Sequence, residues 1–177
     1  MIQSQQDIRA AVRYFKKNAE TYGIDTNNII LAGFETVAVS CVTAAYLNNS
    51  SSNTSQISDI ISSVGGNEGS SDNNGFSSKV KGVISMNGGI YHKEWITPNG
   101  PPFLAYHSLQ NNTILIDYGS APANGIFFSI DGDRMCYNYA ISQGIPAVLI
   151  VSSGNSNYSK YDATNYMRWI TKALPIF

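Results

Sequence analysis

Ile29-Ile30-Leu31-Ala32-Gly33-Phe34-Glu35-Thr36-Val37 is the stretch on which the fold turns. Ile29 to Ala32 is an unbroken apolar run, too short for a helix and without the alternation of a half-exposed strand. That is the pattern of a strand buried on both faces of a parallel sheet. An Asp25-Thr26-Asn27-Asn28 turn leads into it, and the small, apolar stretch from Val37 to Leu47 suits a packed helix. Upstream, Ile8, Val12, Phe15, Ala19 and Tyr22 recur at spacings of three and four, the period of an amphipathic helix. Arg9, Arg13, Lys16, Lys17 and Glu20 are assigned to its outer face, and Gly23 to its end.

Outward from this unit the alternation continues. Strands are expected at Val80 to Met86, Phe103 to His107 and Ala147 to Val151, and helices at Asp133 to Gln143, with Gly144 at C′, and at about Tyr161 to Ala173. The order predicts an α/β fold: a mostly parallel sheet of about four strands, paired in chain order and flanked by helices. One domain over residues 1–177 is expected, with a Ser-, Asn- and Gly-rich insertion at about 48–78, whose Ile57, Ile60, Ile61 and Val64 suit a short helix.

Composition narrows the function. With 11 Lys+Arg against 12 Asp+Glu and no basic stripe, nucleic acid is not an expected partner. No stretch approaches the roughly 18 apolar residues of a membrane span, so no membrane insertion is expected. Charged residues are 13% of the chain, about half the usual share, and a net charge of -1 does little to keep copies apart. Met1 to Gln6 has neither a basic nor an apolar signal-peptide region, and the compartment is left unassigned. Cys41 and Cys136 fall on different expected helices and are read as two reduced, buried thiols.

Several segments, in order along the chain, carry a resemblance. Gln6 to Phe15, Tyr22 to Ile29 and Leu31-Ala32-Gly33-Phe34 together resemble the approach to the nucleophile elbow of the α/β-hydrolase superfamily, in its carboxylesterase and lipase branch. Val80 to Gly89 looks like the strand after the elbow helix, and Pro101-Pro102-Phe103-Leu104-Ala105-Tyr106-His107-Ser108 like the strand before the acid residue. The insertion, with Gly65-Gly66-Asn67-Glu68-Gly69, is similar to lipase-like proteins of Bacteroidetes type. The resemblance implies that the chain corresponds to the carboxy-terminal half of such a hydrolase. It would then lack the early strands and the loop that supplies part of the oxyanion hole. It also implies that the Ile29 to Ala32 strand, central in the family, here has one unpaired edge. Ile29, Ile30 and Leu31 are therefore the expected interface, for a protein partner or for self-association.

The family's chemistry does not carry over position by position. The elbow reads G-x-S-x-G in the family and Gly33-Phe34-Glu35-Thr36-Val37 here, so Glu35 stands at the nucleophile position and Val37 at the second glycine. Relatives such as haloalkane dehalogenases use a carboxylate there, but it is an aspartate with a histidine partner. The acid position is Asn111. The final loop, where the family's histidine is expected, holds Asn155, Ser156, Asn157 and Tyr158. No catalytic residue is therefore assigned; Glu35, Asn111, Ser156 and Asn157 are degenerate positions. A relic pocket is expected from Phe34, Glu35, Thr36, His107, Asn111, Asn155 and Tyr158.

Other candidates read as structural. His107 ends a strand and is expected to pack and bond the next loop; His92 has no metal-ligand spacing around it. Asp131-Gly132-Asp133 reads as a turn and helix start rather than a cation loop. No metal or cofactor is expected. The leading reading is a noncatalytic hydrolase-like structural or binding subunit. Alternatives are an esterase- or lipase-class hydrolase, split or with a displaced triad, and a small-ligand binder using the relic pocket.

Overall fold

The computed structural model describes residues 2–47, 53–73, 75–123 and 126–154. Helix α1 (Ile2–Lys17) and the single turn α2 (Ala19–Tyr22) end at Gly23, whose φ of 65° is left-handed backbone that glycine adopts without a Cβ penalty. Then follow β1 (Ile30–Phe34), α3 (Thr36–Tyr46), α4 (Ser55–Ser63), β2 (Gly82–Met86) and β3 (Gly89–Ile90). After a 3-10 turn at Lys93–Trp95 come β4 (Phe103–Ser108), β5 (Tyr118–Ala123), β6 (Ile126–Gly132), α5 (Asp133–Ser142) and β7 (Ala147–Ser152).

The main sheet has the order β1-β2-β4-β7 with every pair parallel, the chain order expected from sequence. Its strand limits shift slightly: β1 starts at Ile30 and runs through Phe34, and β2 starts at Gly82. Alternate residues bury opposite faces. Val83, Phe103 and Ala105 join Cys41 and Val42 of α3 and Cys136 and Ala140 of α5 in the main core. Ile84 and Leu104 pack with Ile30, Met86, Val148 and Ile150 on the other side, in a cluster of strand side chains alone among the described residues. Helix α5 ends as its sequence suggests. Gly144 has φ 74°, its N–H reaches the Ile141 carbonyl, and the Ile145 N–H reaches that of Ala140, a Schellman pair.

Three features depart from the sequence reading. A second sheet, antiparallel in the order β3-β6-β5, stands where no strand was expected. Arg9 and Arg13, assigned to the solvent face of α1, are buried, while Phe15 and Tyr22, assigned to its apolar face, are exposed. The guanidiniums turn inward because the end of α3 and the insertion offer them acceptors. Arg9 donates to the carbonyls of Ala44, Leu47 and Asn67 and to Glu68, and Arg13 to the Glu68 carboxylate and carbonyl and to Ser71 Oγ. Burial lowers the pKa of Arg9, opposed by its pairing with Glu68. Finally, Asp131 is the penultimate residue of β6 rather than part of a turn.

Both cysteines are free and buried, Cys41 on α3 and Cys136 on α5. Among the described residues no helix is long and apolar enough to cross a membrane. The expected Tyr161 to Ala173 helix lies outside the described residues.

Candidate functional site

Strand β1 ends at Phe34 and α3 begins at Thr36, so Glu35 alone makes the strand-to-helix turn. Its backbone sits at φ 51° and ψ -122°, a region that costs a non-glycine residue roughly 1–3 kcal/mol. The surroundings hold it there. The Glu35 N–H donates to the Met86 carbonyl at 2.8 Å, and its carbonyl accepts the Val39 N–H at 3.1 Å. Gly33 permits the turn, because a Cβ there would lie 2.6 Å from the backbone of Ala38. Val37 is 57% exposed, so a side chain at the second glycine position points into solvent and leaves the turn intact.

Asn111 comes to this turn from the loop after β4. Its Nδ2 donates to Glu35 Oε1 at 3.0 Å, while its Oδ1 accepts the N–H groups of Thr113 at 2.9 Å and Ile114 at 2.8 Å. The amide is thus engaged at both ends and only 3% exposed. Glu35 also lies at the N-terminus of an 11-residue helix, where negative charge is favoured.

Behind the elbow lies a cluster that sequence reasoning missed. Asp133, fully buried at the start of α5, accepts from Ser85 Oγ on β2 at 2.6 Å and from the Gly88 N–H at 2.9 Å. His107 Nδ1 pairs with Asp133 Oδ2 at 2.8 Å, and His107 Nε2 donates to the Ile114 carbonyl at 3.0 Å. Because a carbonyl can only accept, the Nε2 contact is a donation from the ring, and Nδ1 faces the carboxylate. A hydrogen-bonded chain therefore runs from Glu35 through Asn111, the backbone of Ile114 and His107 to Asp133 and Ser85. No local motif announces Asp133 in this role, since its partners lie 26 and 48 residues away in sequence.

Of the expected pocket residues, the structure brings Glu35 and Asn111 into contact and places half-buried Phe34 and exposed Thr36 on either side of the turn. His107 is set back, fully buried against Asp133. Asn155, Ser156, Asn157 and Tyr158 lie outside the described residues. Strand β1 is terminal in its sheet and pairs with β2 alone among the described strands, with Ile29, Ile30 and Leu31 half-buried and Ala32 exposed. The His92 ring packs edge-on against Trp95 at 5.0 Å. Among the described residues no group of three or more His, Cys, Asp or Glu is placed to hold a metal ion.

The fold is shared with known esterases. The family described as BD-FAE matches residues 3–90. A truncated carbohydrate esterase from gut microbiota superposes with a TM-score of 0.65 at 17% identity, covering 93% of this chain and 67% of its own. A lipase/esterase from Lactobacillus plantarum gives 0.60 at 11%, covering 96% and 65%. A thermophilic esterase from Thermogutta terrifontis with propionate bound gives 0.63 at 13%, covering 96% and 62%. The chain thus spans about two thirds of the length of these solved relatives. No curated protein matches in sequence. The fold is that of the α/β-hydrolases. Over residues 3–90 the sequence is similar to the BD-FAE family, and the solved structures that share its fold are carboxylesterases and lipases.

Proposed function

We propose that this chain is a noncatalytic member of the esterase-like α/β-hydrolases that acts as a structural or binding subunit. The observation that carries the reading is the hydrogen bond from Asn111 to Glu35 at the elbow. An acylated serine places Oγ and then the acyl carbon beyond its Cβ; glutamate places Cγ and Cδ at the same two steps. Counted in bonds from Cβ, the carboxyl carbon of Glu35 corresponds to the carbonyl carbon of an acyl-enzyme, joined by a C–C bond that water does not cleave. Asn111 donates to the side chain that takes this place.

A carboxylate nucleophile would still need a base to activate water in the second half of its reaction. The chain has two histidines. His107 has both ring nitrogens engaged in the interior, and His92 packs against Trp95. As a subunit, the chain would make contact through the edge of β1 that no described strand covers, where half-buried Ile30 and Leu31 suit a covering partner or a second copy. The low charge of the surface favours such association. Incubation with a serine-directed fluorophosphonate tests the reading: no labelled band is expected, and labelling that maps to a residue of the elbow would overturn it.

A further inference from the structure

We infer that a second, small-molecule site lies apart from the elbow, in a cavity of about 520 Å³ walled by the insertion helix α4. The insertion is otherwise Ser-, Asn- and Gly-rich, so its isoleucines and valine need a reason. Ile61 turns into the main core, whereas Ile57, Ile60 and Val64 line the cavity. Ile60 remains 53% exposed, a large apolar side chain whose burial would follow from an occupant.

The opposite wall is aromatic and fixed. Tyr91 meets Phe128 of β6 in a T-shaped contact at 6.1 Å, and Trp95 is anchored by its indole N–H to Asn53 Oδ1 at 2.7 Å. Among the described residues no Asp, Glu, Lys or Arg lines the cavity; polar groups there come from Gln3, Tyr91, His92 and Ser129. Such a lining favours an uncharged, largely apolar molecule with a hydrogen-bonding head. An apolar cavity of about 150 Å³ takes a benzene, so this one has room for two fused rings and a substituent. Neither Glu35 nor Asn111 is among its lining residues, so the site stands independently of what the elbow does.

2-Naphthol, neutral and two-ringed with one hydroxyl, is the probe. Calorimetric titration into the full chain is expected to show saturable binding at one site per chain. Ile60→Trp and Val64→Trp, each filling the cavity from α4, are expected to weaken it by at least roughly tenfold. Ile141→Trp, on exposed α5 surface, is expected to leave it unchanged. Circular dichroism checks that each variant is folded. Ile60 is exposed enough to accept the larger ring, so this variant decides the matter if Val64→Trp does not fold. Absence of saturable binding up to the solubility of the probe, or equal affinity in the folded filled variants, would overturn the inference.

Discussion

Asn111 donates its side-chain N–H to Glu35 Oε1 at 3.0 Å, tying the loop after β4 to the turn between β1 and α3. The acid and nucleophile positions of a hydrolase are ordinarily bridged by an imidazole. Glu35 and Asn111, the residues that sequence reasoning expects at those positions, touch directly, and the amide bonds the loop and the carboxylate together.

Replacing Asn111 by alanine removes this bond and both loop N–H contacts, leaving the Thr113 and Ile114 donors without their acceptor. The expected loss is about 1–3 kcal/mol, read as a lower urea midpoint at unchanged slope. A variant as stable as the parent would mean that the contact at the elbow is incidental.

The interior pair is expected to matter more. His107→Ala leaves the Asp133 carboxylate fully buried with only Ser85 and the Gly88 N–H as donors, and breaking such a pair costs about 3–5 kcal/mol. His107→Ala combined with Asp133→Ala is expected to cost less than the sum of the two single changes, because the groups act as one unit. Additive losses in a double-mutant unfolding cycle would show that they are not coupled.

Alkaline pH probes the helices on the main core. Burial pushes the Cys41 thiol up to about 11 and that of Cys136 well above its ordinary value, and raises Tyr46 in the same direction. Each group holds its proton more tightly folded than unfolded. Their contribution is therefore complete below pH about 9 and is lost as pH rises through about 11 for Cys41. Urea midpoints are expected to fall over that window, and less steeply in Cys41→Ala. A native protein whose thiols react with a disulfide reagent at pH 8 as fast as in urea would contradict their burial.

At the sheet edge, Ile30→Lys places a charge on β1, the strand that pairs with β2 alone among the described strands. Light scattering of the parent chain at micromolar concentration is expected to show a mass above the monomer, and the variant to shift toward the monomer. A parent that is monomeric across that range and in its native setting would remove the subunit part of the proposal.

The four-stranded sheet was legible because its parallel strands read as short apolar runs, as at Ala147 to Val151. The β5–β6 hairpin was not read, although Asn124-Gly125 between Ala123 and Ile126 is a hairpin dipeptide. Tyr118 to Ala123 lacks the β-branched alternation that would have drawn attention to it. The inward turn of Arg9 and Arg13 was illegible for another reason: helical period assigns charges to solvent, and only the fold brings Glu68 and the Asn67 carbonyl within reach. At the elbow the substituted residues were visible in sequence. Their contact, and the Asp133 cluster behind it, depend on loops closing over long separations.

Hydrolysis of p-nitrophenyl acetate and butyrate by the purified chain, with Glu35→Ala alongside, tests the central claim most directly. The expected result is no turnover above buffer for either protein, because the elbow carries a carboxylate on a C–C bond and His107 has both ring nitrogens engaged in the interior. Saturable turnover by the parent that Glu35→Ala abolishes would contradict it, and would make Glu35 a nucleophile.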